Sequence, residues 1–236
     1  MSHTSQRHGL DPDRPGREMI VLAMLPDQHQ NAPGARRAMS ELAKKMLEHK
    51  PENWLSKNFT ELDIPNLGPA QKPLEWLHRK NPELAERVLI RATGAMSTVM
   101  TALYTDLDRV IALINDLKGD WLEHNRKKGL PVSIVLSGLF SDVRHCCHKT
   151  GDREHTFLHS LGFFGKTQDP PSAGELELLT MCGHGLVSIH RVKSLVRKLK
   201  ARELTIEAAA HDLARPCVCG IVNEKRAREI LARLLE

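Results

Sequence analysis

The run EMIVLAMLP, residues 18–26, sets the first constraint on the fold. Its apolar side chains, Met19 to Leu25, stand in a row until Pro26 stops them. The run is far shorter than the roughly 20 residues that cross a bilayer. Its length favours a buried strand over a buried helix. PVSIVLSG, residues 131–138, supplies the β-branched residues of another buried strand. Helix is predicted from about Leu139 to Lys149, ending near Gly151, with HTFLHSLGFFG (155–165) as a further strand. A strand–helix–strand unit of this kind predicts adjacent parallel strands joined by a right-handed crossover. The expected class is therefore α/β and helix-rich: a small, largely parallel sheet with flanking helices and a helical C-terminal region.

Helical spacing supports that class elsewhere. In residues 35–48, Met39, Leu42, Met46 and Leu47 form an amphipathic stripe. Residues 50–73 hold four prolines and little periodicity, and read mostly as loop. From Asn81 to about Lys128 the chain reads as helix broken near Gly94, started by the Asn81-Pro82 pair. Within it, Leu107, Val110, Ile111, Ile114 and Leu117 form a stripe. Ser188, Thr205 and Asn223 each stand where a side-chain oxygen caps a following helix, a contribution of about 1 kcal/mol apiece. The first of these helices buries Ile189, Val192, Leu195, Val196 and Leu199; the second must end near Pro216. The expected organisation is a flexible tail over 1–17, an α/β core over 18–187 and a helical region over 188–236.

A chain of 236 residues buries roughly 70–75% of its unfolded surface, so it folds without a metal or disulfide staple. Its five cysteines are an odd number, and the polar N-terminal residues lack the layout of a signal peptide. The expectation is a cytoplasmic protein with reduced thiols and no membrane insertion. The formal charge is +5, and much of it is local. Arg191, Lys193, Arg197, Lys198, Lys200 and Arg202 follow Ser188 with no acid among them. Such a patch is expected either as a solvated helix face or as a surface for an acidic partner protein or a larger redox complex, a phosphate-bearing ligand or nucleic acid. Aromatic residues make up only 4% of the chain, with Tyr104 the single tyrosine, which disfavours a base-stacking surface.

The chemistry concentrates in three short stretches. ARPCVCG places Cys217 and Cys219 one residue apart between a proline and a glycine. In an extended strand both side chains project to one face, and in a turn they also converge. The helix predicted from Asn223 adds positive dipole nearby, which favours thiolate over thiol. CGHG adds Cys182 and His184 on a turn with two glycines. HCCH, residues 145–148, adds Cys146 and Cys147 about 100° apart on a helix end, so only one enters a common site. Cys147, nearer the loop, is the preferred one, with Cys146 its alternative.

Thiolates from Cys147, Cys182, Cys217 and Cys219 meet the ligand count of a 4Fe-4S cluster. Three thiolates with His184 suit tetrahedral zinc instead. A metal-free reactive thiol site and buried cysteines acting as small apolar side chains are the further alternatives. His145, His148, His155 and His159 are expected as surface or hydrogen-bonded histidines. The last two stand about 13 Å apart on a straight strand and do not share an ion. LSGLFSDV, residues 136–143, lacks the spaced glycines and lysine of a nucleotide loop. Asp106, Asp108 and Asp116 read as solvated acids on a helix. No serine-hydrolase elbow or zincin helix is present.

TMCGHGLVS and RPCVCGIVNEKRA, within residues 136–236, resemble a little-characterised prokaryotic family in which a C-G-H turn precedes a P-C-x-C-G turn. That family is associated with heterodisulfide-reductase-like sulfur metabolism. The resemblance implies that Cys182, Cys217 and Cys219 are motif cysteines with iron–sulfur or sulfur chemistry. The three turn-borne cysteines, with Cys147 as a fourth, lead to the expectation of an iron–sulfur-binding redox or accessory protein of an electron- or sulfur-transfer system. A zinc-binding protein, a cysteine-dependent sulfur carrier or enzyme, and a non-catalytic interaction module with a basic helix are the alternatives.

Overall fold

A computed structural model describes residues 7–10, 13, 18–54, 76–77, 79–96, 98–154, 168–217 and 220–236. Among them a four-stranded sheet runs in the order β2-β3-β1-β4. Its strands are β1 (Met19–Met24), β2 (Asn53–Trp54), β3 (Val99–Tyr104) and β4 (Ser133–Ser137). The run that opens the sequence is β1, a strand flanked on both sides. Its alternate residues face two different cores. Met19, Val21 and Ala23 enter one, with Met100, Ala102 and Tyr104 of β3. Ile20 and Leu103 enter the other.

The sheet is antiparallel, not largely parallel. β1 pairs antiparallel with both β3 and β4, and β2 pairs antiparallel with β3. The physical reason lies in where β1 sits. β3 and β4 run parallel to each other, and the helical stretch between them makes the crossover, but β1 lies between them and reverses both pairings. The partner of a strand is a long-range property, and sequence spacing alone does not report it. The predicted second strand, 155–165, lies outside the described residues.

The first core holds α1 (Ala35–Glu48), α2 (Pro82–Met96) and α3 (Leu107–Asp116) against the sheet. A π-helical turn, Leu117–Trp121, and α4 (Leu122–Lys127) continue α3. The sequence reading of helix from Asn81 to Lys128, broken near Gly94, is thereby corrected: the helix runs through Gly94 to Met96, and the interruption is a strand, β3. VMTALY mixes helix formers (Met100, Ala102, Leu103) with strand formers (Val99, Thr101, Tyr104) and is nearly buried throughout, so it lacks the clean alternation that marks a strand. The signal for the restart is Asp106, whose carboxylate accepts from the Asp108 and Arg109 amides at 2.9 and 3.4 Å. Upstream, Asn81 accepts from Leu84 N at 3.0 Å, as its sequence position predicted.

Tyr104 ties this core together. Its hydroxyl donates to Met46 O at 2.7 Å, satisfying a carbonyl of the last turn of α1. Burial holds the phenol well above its ordinary pKa, so the hydroxyl stays a donor across the physiological range. Tyr104→Phe is expected to cost about 1–2 kcal/mol in urea unfolding, because it leaves that carbonyl buried and unsatisfied.

The second core is built by α6 (Ala173–Thr180), α7 (Ile189–Lys200), α8 (Ile206–Ala214) and α9 (Glu224–Arg233). Three of their caps are those the sequence marks: Ser188 on Arg191 N, Thr205 on Ala208 N and Asn223 on Arg226 N, at 3.1–3.2 Å. α6 starts at a reciprocal capping box between Ser172 and Glu175. The helical layer thus draws on residues before 188, including Leu178, Met181 and Val187.

Charges are also buried where this layer meets β1. Arg226, 2% exposed, donates to Glu18 Oε2 at 2.8 Å, to His8 O at 2.7 Å and to Glu177 Oε2 at 3.1 Å. Arg7 pairs with the same Glu18 carboxylate. His8 N also donates to Thr180 Oγ1 at 2.9 Å. Within the segment expected to be a flexible tail, residue 8 is therefore bonded through both its amide and its carbonyl.

Candidate metal centre

Two turns of the second core carry the cysteines. The first follows α6, where Gly183 N donates to Thr180 O at 2.9 Å and the chain then reverses through Gly183 and Gly185. Both glycines have positive φ, 72° and 67°, a conformation costly for residues with a Cβ. The turn closes at Ser188, the cap of α7. It leaves Cys182 fully buried and His184 half-buried, with Cys182 Sγ 3.8 Å from His184 Nδ1.

The second turn follows α8. Cys217 N donates to Ala214 O at 2.9 Å, and Gly220, at φ 67°, completes the reversal before Asn223 caps α9. Ile221 and Val222 are buried behind it. From the sheet, the amide of Asn53 on β2 donates to Val222 O and pins the turn. Cys217 is 1% exposed and shares its core with Cys182. Cys219 lies outside the described residues. Asn53 has no signal of its role in the sequence, since its partner is 169 residues away.

The fold does not bring Cys147 to these two turns. α5 (Phe140–Thr150) carries it, and Cys146 beside it packs in the first core. Cys147 lines a cleft with Ile114, Leu117, Val132, Ile134 and Leu136, residues that belong to or pack against that same first core. The sheet separates the two cores. Among the described residues, no group of three or more His, Cys, Asp or Glu side chains is gathered as a metal cage. His145 and His148 are exposed, as expected, and His155 and His159 lie outside the described residues.

Electrostatics separates the cysteines further. Burial pushes the Cys146 thiol up to about 11, helped by Cys147, Asp142 and Asp108. Burial also raises Cys147, with Glu154 and Asp152 adding to the shift and Lys118 opposing it. At pH 8 a thiol with a pKa of 11 is ionised at only about one part in a thousand. Cys146 in the native chain is therefore expected to resist iodoacetamide for hours at pH 8, while urea-unfolded chain is alkylated within minutes. Mass spectrometry of the modified peptides reads the difference; rapid native labelling at Cys146 would contradict the assignment.

Chemically, a buried thiol facing an imidazole offers a sulfur and a nitrogen donor from one short turn, and Cys217 offers a further sulfur from the next. Comparison with family models, with curated proteins and with solved structures finds no match for this chain.

Proposed function

We propose that the chain is a metal-binding accessory protein of an electron- or sulfur-transfer system. Its C-terminal layer would carry one mononuclear, tetrahedral centre, zinc, held by Cys182, His184, Cys217 and Cys219. The observation that carries this reading is the 3.8 Å separation of Cys182 Sγ and His184 Nδ1. A tetrahedral zinc with a sulfur ligand at about 2.3 Å and a nitrogen ligand at about 2.05 Å sets those two atoms about 3.6 Å apart. The turn is close to ligand geometry before any ion arrives. Cys217 shares the apolar core but is not gathered with this pair among the described residues, so binding would draw the second turn, with Cys219 two residues on, toward the ion.

A centre closed by four protein ligands keeps no open position for substrate, which supports an accessory role over catalysis. The polarity of the donors fits zinc as well, since three thiolates and one imidazole are a common structural set.

A 4Fe-4S cluster is the second reading, favoured by the number of thiolates on glycine-flanked turns. It fits the Cys182–His184 pair less well. Each iron of a cubane takes one protein ligand, so neighbouring ligands sit on separate irons and further apart than one tetrahedral edge. Anaerobic purification with elemental analysis separates the two. About one zinc per colourless chain is expected. Stoichiometric iron and sulfide with broad visible absorbance would replace zinc by the cluster, and metal-free protein would remove both.

A further inference from the structure

Between α7 and α8 lies a cleft of about 520 Å³, lined by Leu195, Lys198, Leu204, His211, Asp212 and Arg215. It immediately precedes the Cys217 turn in the chain. Its charges are unequal. Arg191 donates to Asp212 O through Nε and Nη2, at 3.1 and 2.8 Å, and to Asp212 Oδ1 at 2.7 Å. One guanidinium thus covers both the carboxylate and a carbonyl at the end of α8. Arg215 stands 3.7 Å from the same Oδ1 and keeps its side chain 67% exposed. Among the described residues, Lys198 holds no ion pair. His211 faces Glu224 through Nδ1 at 3.4 Å, which places a second carboxylate behind the cleft. Lys198 and Arg215 line the cleft with Asp212, while Arg191 and Glu224 stand behind it, so three cations face two carboxylates.

We propose that this cleft binds a small organic phosphate. Lys198 and the outer guanidinium of Arg215 supply charged donors to the phosphate oxygens, the geometry that arginine forks favour. Leu195 and Leu204 give the organic part an apolar wall. The volume exceeds that of a bare inorganic anion and falls in the range of small-ligand sites. Asp212 does not repel the ligand at full strength, because Arg191 already neutralises it. None of the lining side chains is a proposed metal ligand, so the site stands or falls separately from the metal centre.

Inorganic pyrophosphate is the probe, titrated into the full chain by calorimetry at fixed ionic strength. One saturable site per chain is expected. Lys198→Ala with Arg215→Ala should weaken it by about tenfold or more. Lys193→Ala with Arg197→Ala, on α7 but outside the cleft, should leave it within about twofold. All four side chains are exposed, and circular dichroism of both double variants checks that they fold. Absence of saturable binding up to about 10 mM would overturn the proposal. Equal weakening by both pairs would do the same, because it would reduce the effect to general attraction by a basic surface.

Discussion

Serine at both Cys182 and Cys217 is expected to empty the metal centre. Metal content should fall from about one ion per chain to below about a tenth of that, measured on protein purified and dialysed natively. Serine keeps the size of the side chain but replaces a soft thiolate with a hydroxyl that stays protonated near neutrality. Two of four ligands are then lost, and the remaining pair does not hold zinc against dialysis. Because the ion binds only the native arrangement, its loss should also loosen the two turns. Hydrogen exchange is expected to quicken at residues 181–187 and 215–223, while the amides of β1 and β3 keep their protection. The restriction is part of the prediction. A chain of 236 residues with two apolar cores does not depend on the ion to fold. Full metal content in the double variant would dismiss both cysteines as ligands.

Glu18→Gln should produce the largest loss of stability of any single substitution considered. Arg226 and Arg7 both direct charge at this one carboxylate, and all three side chains are essentially removed from water. Breaking a buried pair by neutralising one partner costs about 3–5 kcal/mol, because the stranded guanidinium keeps its desolvation penalty. Urea unfolding should show that loss with little change in the denaturant slope. For a chain of this size it corresponds to a melting temperature lower by about 10 °C. Arg226 keeps Glu177 at 3.1 Å, and that contact sets the lower end of the range. Arg233→Ala serves as a control. Its guanidinium also meets Glu177 at 3.1 Å but is 58% exposed, so solvent screens it and a change of under about 1 kcal/mol is expected. Equal effects at Glu18 and Arg233 would show that burial does not govern this network.

What was legible in the sequence was local. Asn81, Ser188, Thr205 and Asn223 each cap the helix that follows, since a cap needs only a side-chain oxygen within three residues of the amide it satisfies. The boundaries of residues 35–48 follow from an apolar stripe on one helix. The glycines at 183, 185 and 220 take the positive φ that their place beside the cysteines suggested. What escaped was long-range. β3 hides within a largely buried run of mixed propensity, and Asp106 marks the helix restart after it. The antiparallel sheet depends on β1 lying between β3 and β4, strands 80 and more residues further along the chain. Cys147 was grouped with the other thiols because nothing in its neighbours reports which side of the sheet it packs on. The Glu18–Arg226 pair spans 208 residues and leaves no trace in either segment.

The most direct measurement of the central claim is X-ray absorption at the zinc edge of protein purified without added metal. Three sulfur ligands at about 2.3 Å and one nitrogen at about 2.0 Å are expected, with the nitrogen lost on His184→Ala. A shell of oxygen and nitrogen without sulfur, or one unchanged by His184→Ala, would contradict a centre built on the Cys182–His184 turn.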